Sequence, residues 1–85
     1  MSDESKELGN IGIEADGSSN IKEPIIIKLS SYKNAKFIDI RKYYNESGEW
    51  KPTKKGITLN KAQFEILSKI FNDRKNDIDL WLKEE

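Results

Sequence analysis

A segment rich in basic and aromatic residues lies in the middle of this chain, between residues 36 and 60. Its cationic side chains can neutralise phosphates, and its aromatic rings can stack on unpaired bases. The two residue types are interleaved: the segment contains Arg41, Lys42, Tyr43, Tyr44, Trp50, Lys51, Lys54 and Lys55. A sheet surface that carries both types predicts binding of a single nucleic-acid strand.

Charge is segregated along the chain, although the 85 residues have a formal net charge of zero. Residues 1–24 have a net charge of −4, residues 25–61 of +6 and residues 62–85 of −2. A basic middle between acidic ends predicts an anionic ligand at the middle segment. Solvent-exposed lysines on the edge strands of a sheet would give the same pattern, so charge alone does not distinguish a ligand-binding surface from an ordinary sheet edge.

The composition argues against an enzyme. The sequence contains no His and no Cys, so the commonest general bases, nucleophiles and transition-metal ligands are missing. Its glycines form no phosphate-binding loop. We therefore expect a non-enzymatic protein without a cofactor or a metal. No apolar run approaches the roughly 20 residues of a membrane span, so we expect no membrane partner.

One small domain must position these residues. Residues 1–23 are predicted to form an acidic flexible tail with at most one short strand, because glycines and polar residues interrupt any period. Residues 24–85 are predicted to form the domain. Its strands are expected at Ile25–Leu29 and Lys36–Tyr44, with a hairpin turn at Asn45–Gly48. The chain then returns as a strand that Pro52 confines to an edge or a bulge.

A helix is predicted to follow the strands. Asn60 and Gln63 have the spacing of a capping box. The next apolar residues form one stripe at helical spacing: Phe64, Leu67, Ile70 and Phe71. The polar run from residue 72 to residue 76 either continues the helix or breaks it, and in the second case Asn76 is the expected cap of another short helix.

The aromatic pair in the middle segment imposes a geometric condition. Tyr43 and Tyr44 are adjacent on a strand, so one is expected in the core and the other is available for stacking. Arg41 and Tyr44 have opposite parity. A bulge or a strong twist near Lys42 is therefore needed if both are to reach one ligand.

The C-terminal apolar residues extend beyond what a small sheet can cover. They either pack only on their own sheet or meet the same surface of a second copy. We predict a homodimer. The residues expected at its interface are Phe71, Ile78, Trp81 and Leu82.

The order of these motifs resembles the family of single-stranded-DNA-binding transcriptional coactivators known as positive cofactor four. The resemblance covers roughly residues 25–82. It is carried by Ile38-Asp39-Ile40-Arg41, by Lys51-Pro52, by Lys54-Lys55-Gly56-Ile57-Thr58-Leu59 and by the helix that follows. The family has a further strand before Ile25, for which Leu8 to Glu14 are the candidate residues here.

The resemblance implies an α+β fold, in which an antiparallel curved sheet of three to four strands precedes a C-terminal helix through which two copies dimerise. It implies that single-stranded or melted DNA crosses the paired sheets with little sequence preference. By position, the phosphate contacts would be Arg41, Lys51, Lys54 and Lys55. The stacking residues would be Tyr32 and Tyr44, the second at a position where the family commonly has Trp.

The implied role is that of a transcriptional coactivator or regulator in the nucleus, with proteins of the transcription machinery as further partners. The alternative is a bacterial protein that lies in the cytoplasm, or a protein of viral origin. A competing interpretation is a protein-interaction adaptor in transcription, whose acidic tail and apolar helix contact protein partners and whose nucleic-acid binding is incidental.

Overall fold

Four antiparallel strands followed by two helices form the part of the chain that the computed structural model describes, residues 5–84. Residues 1–4, which belong to the predicted tail, and Glu85 lie outside it. The strands form one sheet in the order β1-β2-β3-β4. This arrangement confirms the predicted α+β class. The elements are β1 (Ser5–Ile11), β2 (Ile25–Tyr32), β3 (Ala35–Glu46), β4 (Glu49–Leu59), α1 (Lys61–Asp73) and α2 (Lys75–Lys83).

The first strand lies inside the segment that the sequence predicts as a tail. β1 pairs with β2 along its length, with a shift of register between Glu7 and Gly9. It begins at Ser5 and not at the expected Leu8. Composition alone disfavours a strand in this acidic segment, but pairing with the β-branched β2 supplies the backbone partners that the segment lacks by itself.

Two tight turns connect the three longer strands. Lys33 and Asn34 have φ values of 49° and 69°, and Ser47 and Gly48 have φ values of 55° and 90°. Positive φ at both central residues is the type I′ geometry, whose twist matches that of the flanking strands. Both hairpin loops therefore contain two residues, and β3 continues to Glu46, two residues beyond its predicted end.

Alternation along the strands gives the sheet two faces. We call one the groove face: it carries Ile26 and Lys28 of β2 opposite Arg41 and Asp39 of β3. Tyr43 is on the same face, and both it and Ile26 are 5% exposed. We call the other the helix face, because its apolar side chains lie on the side of α1. It carries Ile27, Leu29, Ile38, Ile40, Ile57 and Leu59.

The helical region breaks at Arg74. α1 begins with the predicted capping box: Gln63 N donates to Asn60 Oδ1 at 2.8 Å, and Asn60 N donates to Gln63 Oε1 at 3.0 Å. Arg74 separates the two helices with φ −111° and ψ 13°. The prediction that Asn76 would cap a second helix is wrong, because Asn76 lies inside α2.

Apolar side chains of both helices are exposed in the single chain. Of the four predicted interface residues, Phe71 is 55%, Leu82 67% and Trp81 73% exposed, and Ile78 is half-buried. The Cα radius of gyration is 15.1 Å, whereas a compact chain of this length has about 12 Å. Neither helix within residues 5–84 has the length and apolar composition that a membrane crossing requires.

Candidate nucleic-acid interface

An irregularity in β4 lies opposite Lys42 of β3. The register pairs on its two sides are Arg41 with Gly56 and Tyr43 with Pro52. Three residues of β4, Thr53 to Lys55, therefore oppose Lys42 alone, as in an enlarged β-bulge. Thr53 fixes the bulge, because its Oγ1 donates to Lys42 O at 2.8 Å and accepts from Lys55 N at 3.1 Å.

Arg41 connects the bulge to β3. Its Nε donates to Asp39 Oδ1 at 3.2 Å, and its NH1 donates to the carbonyl oxygen of Thr53 at 2.9 Å. The side chain is half-buried between these partners. Arg41 thus contributes positive charge to the surface, while one of its donors binds the Asp39 carboxylate and another already holds the backbone of the lysine-bearing bulge.

Gly56 ends the bulge at a point where β3 and β4 leave no room for a side chain. A Cβ atom at this position would lie 2.8 Å from Ile40 O and 2.8 Å from Arg41 Cβ. Contacts this short would force the two strands apart. The Lys54-Lys55-Gly56 order therefore has a structural reason, since the glycine allows the close pairing that presents the lysines.

We predict that Gly56→Ala lowers the free energy of unfolding by about 1–3 kcal/mol, because the new methyl group overpacks the interface of β3 and β4. Gly9→Ala is the matched control, since a Cβ at Gly9 meets nothing within 4 Å. Urea unfolding monitored by circular dichroism measures both changes. Equal stabilities of the two variants would contradict the prediction.

A basic groove of about 450 Å³ lies on the groove face beside the bulge. Its positive charges come from three strands, namely from Lys28, Arg41 and Lys54. Lys28 Nζ lies 5.2 Å from the centre of the Tyr43 ring, where a cation is attracted by the ring face. Asp39 also lines the groove and pairs with Arg41. The groove can accept an anion such as a phosphate.

Tyr44 and Lys51 lie on the opposite face from the groove. They are paired in the register of β3 and β4, and Lys51 Nζ also contacts Glu46 Oε1 at 3.0 Å. The predicted irregularity near Lys42 is present, but its extra residues are in β4. β3 therefore keeps its alternation, so Tyr43 is buried while Tyr44, 38% exposed, points away from Arg41.

Tyr32 lies far from Tyr44. It is exposed at the end of β2, where Lys33 Nζ is 5.2 Å from the centre of its ring. Its register partner is Ala35, nine residues before Tyr44 along β3. Nine residues of strand span about 30 Å, so the two tyrosines cannot stack on neighbouring bases.

Lys55 is engaged by an acidic residue from another part of the chain. Its Nζ lies 3.0 Å from Glu23 Oε1 and 3.4 Å from Glu23 Oε2. The hydrogen bond from Lys55 lowers the pKa of Glu23, and the charges of Lys55, Lys42 and Lys22 lower it further. Glu23 is therefore ionised at neutral pH.

Sequence reasoning missed three residues of this region. Lys28 is the single cation of β2 and lies between apolar neighbours, Ile27 and Leu29, and that isolation was the available signal for a surface role. Lys42 was noted only as part of the basic segment. Glu23 gave no signal, because its partner Lys55 is 32 residues away. Within residues 5–84, no group of His, Cys, Asp or Glu is arranged to hold a metal ion.

Comparison with known proteins gives two matches. Residues 19–70 match the family described as Transcriptional Coactivator p15 (PC4). A protein of Neurospora crassa, described as an RNA polymerase II transcriptional coactivator, is 36% identical over 52 residues. That alignment covers 61% of this chain and 30% of the fungal protein, so the chain matches less than a third of its relative. No solved structure matches the chain.

Proposed function

Because the chain belongs to the Transcriptional Coactivator p15 (PC4) family, we propose that it binds single-stranded or melted DNA with little sequence preference and acts as a non-enzymatic transcriptional coactivator. A coactivator of RNA polymerase II, the description given to the fungal relative, works in the nucleus. The same location and contacts with transcription-machinery proteins are part of the proposal.

The observation that carries the proposal is the composition of β4. Among the described strands, β4 lies at an edge of the sheet, and it carries Lys51, Lys54 and Lys55. Tyr44 is directly opposite Lys51. A strand edge with three cations beside an accessible aromatic ring combines phosphate neutralisation with base stacking.

The two faces define the path that we propose for the nucleic acid. Lys54 and Arg41 line the groove, whereas Lys51 and Tyr44 lie on the helix face. A single strand that passes over the β4 edge reaches both sets. A duplex is too stiff to make that turn, because bending even a 20–30 bp site by 40–90° costs about 1–6 kcal/mol. The path therefore favours single strands.

We also propose that the binding form is a homodimer. Both helices leave large apolar side chains exposed, and a second copy would cover them. Large exposed apolar patches commonly mark protein–protein interfaces. An open apolar cavity of about 590 Å³ beside α1 offers a place for such side chains. Its apolar lining residues are Leu29, Phe37, Ile38, Leu59 and Phe64. Two copies would double the number of β4 edges available to one strand.

The test is a titration of one labelled oligonucleotide in single-stranded and in duplex form, at equal salt. The proposal expects the single strand to bind at least about tenfold more tightly, a difference of about 1.4 kcal/mol. Equal affinity for the two forms would contradict it and favour the adaptor interpretation, in which nucleic-acid binding is incidental. A matching RNA oligonucleotide establishes whether the sugar matters.

We predict that Tyr44→Ala weakens single-strand binding by about 1–3 kcal/mol, the contribution of one stacked base. Because Tyr44 is 38% exposed, the change should leave the fold intact. Fluorescence anisotropy measures the affinity, and circular dichroism checks the fold.

Tyr44→Phe is the control for this prediction, since it keeps the ring and removes only the hydroxyl. It should bind like the unchanged protein. Loss of affinity in the Phe variant as large as in the Ala variant would mean that the hydroxyl, and not the ring, makes the contact.

A further inference from the structure

The segment between β1 and β2, residues 12–24, folds back onto the sheet, and we call it the β1–β2 loop. Trp50 Nε1 donates to Gly17 O at 3.0 Å in the middle of the loop. Tyr43 N donates to Pro24 O at 2.8 Å at its end. Pro24 is fully buried. These attachments fix the backbone on both sides of Glu23.

Glu23 lies in a positively charged environment. Both of its carboxylate oxygens are within 3.4 Å of Lys55 Nζ. Lys42 is the register partner of Ile25, two residues after Glu23, and its charge, like that of Lys22, lowers the Glu23 pKa. One anion is thus held among cations from the loop, from β3 and from β4.

This arrangement has the chemistry of a phosphate-binding site in which a carboxylate of the same chain occupies the place of the phosphate. A carboxylate and a phosphodiester are both anions with oxygen acceptors, so each can receive hydrogen bonds from the same lysines. Lys42 and Tyr44 alternate onto the same face of β3. A phosphate at Lys42 would therefore adjoin a base stacked on Tyr44.

We propose that Lys42 and Lys55 form a phosphate-binding subsite for the nucleic-acid strand and that Glu23 occupies this subsite when no strand is bound. The inference rests on the proposed function and adds to it a contact residue, Lys42, and an internal competitor. When the nucleic acid binds, the ion pair between Glu23 and Lys55 is replaced by an ion pair between a phosphate and Lys55. Because an exposed pair is worth little, a phosphate of a multiply bound strand displaces Glu23 readily.

The experiment is a titration of an oligothymidylate with the unchanged protein and with Glu23→Gln at 50 mM and 200 mM salt. Removing the competitor should tighten binding by about threefold to fivefold at low salt, the upper range for an exposed ion pair. The logarithmic salt slope should steepen by up to about 0.7, because one more phosphate is neutralised fully.

Glu14→Gln is the matched control. It removes the same charge from the same loop at an exposed position, whereas the carboxylate that contacts Lys55 is that of Glu23. In a Lys55→Gln background, the gain from Glu23→Gln should fall to that of Glu14→Gln. Equal effects of the two substitutions in the unchanged background would mean only general repulsion and would overturn the subsite.

Lys42→Gln tests the new contact residue. It should weaken binding by about threefold to fivefold, whereas Lys36→Gln, on the same strand but opposite Ser31, should change it little. Equal affinities of these two variants would overturn the role of Lys42. If the unchanged protein fails to bind the oligothymidylate at all, the proposed function fails first, so the two failures are distinguishable.

Discussion

Raising the salt concentration from 50 to 200 mM should weaken single-strand binding by about 300-fold. If a dimer neutralises about six phosphates, each contributes a slope of roughly −0.7 to the dependence of log affinity on log salt, and a fourfold rise in salt then produces this loss. The cations available for these contacts are Lys28, Arg41, Lys42, Lys51, Lys54 and Lys55. Anisotropy titrations at four salt concentrations give the slope.

Variants of single lysines distinguish the cations that contact phosphates from lysines elsewhere on the surface. Lys54→Gln should reduce the slope by about 0.7 per lost phosphate contact, and Lys36→Gln should leave it unchanged. Tyr44→Ala should lower the affinity without altering the slope, because stacking releases no counterions. If the slope of log affinity against log salt for the unchanged protein were smaller than one in magnitude, it would contradict an electrostatic interface.

Trp81→Glu should convert the proposed dimer into monomers. Trp81 is 73% exposed in the single chain, so the change removes little packing within one subunit. In a twofold interface it would instead bury two unpaired carboxylates, at several kcal/mol. We therefore expect the dimer dissociation constant to rise at least about a hundredfold. Sedimentation measures the shift toward the 9.8 kDa monomer.

Asn76→Glu is the control for this prediction. It adds the same charge to α2, and at helical spacing it lies on the side opposite Ile78, Trp81 and Leu82. The Asn76→Glu variant should remain dimeric. The Trp81→Glu variant should bind single-stranded DNA more weakly than the unchanged protein, because each monomer offers one β4 edge. An unchanged protein that sediments as a monomer at micromolar concentration would rule out the dimer.

The parts of the fold that were predictable depend on neighbours in the sequence. The turn at Ser47 and Gly48 was predictable because a two-residue hairpin loop needs a positive φ at both positions and glycine adopts one without strain. Asn60 and Gln63 reach each other across one helical turn. Pro52 has no amide hydrogen, and it lies in a strand at the edge of the sheet.

The unpredicted parts depend on distant contacts. β1 begins at Ser5 because β2 pairs with it. Arg41 was expected to contact phosphates, but the carbonyl of Thr53, twelve residues away, takes one of its donors. The predicted irregularity was needed to bring Arg41 and Tyr44 together. Because its extra residues are in β4, it leaves the two on opposite faces, and only the register reveals this.

The bulged, lysine-rich β4 has a further consequence for the solubility of the protein. An uncovered edge of eleven residues can template the addition of a strand from another molecule, which is how intermolecular sheets begin. Here Pro52 removes one donor, the bulge interrupts the ladder, and three lysines repel an identical edge. Neutralising Lys51, Lys54 and Lys55 together should therefore promote aggregation as well as loss of nucleic-acid binding, since the cations that we propose to contact the nucleic acid also keep the sheet four strands wide.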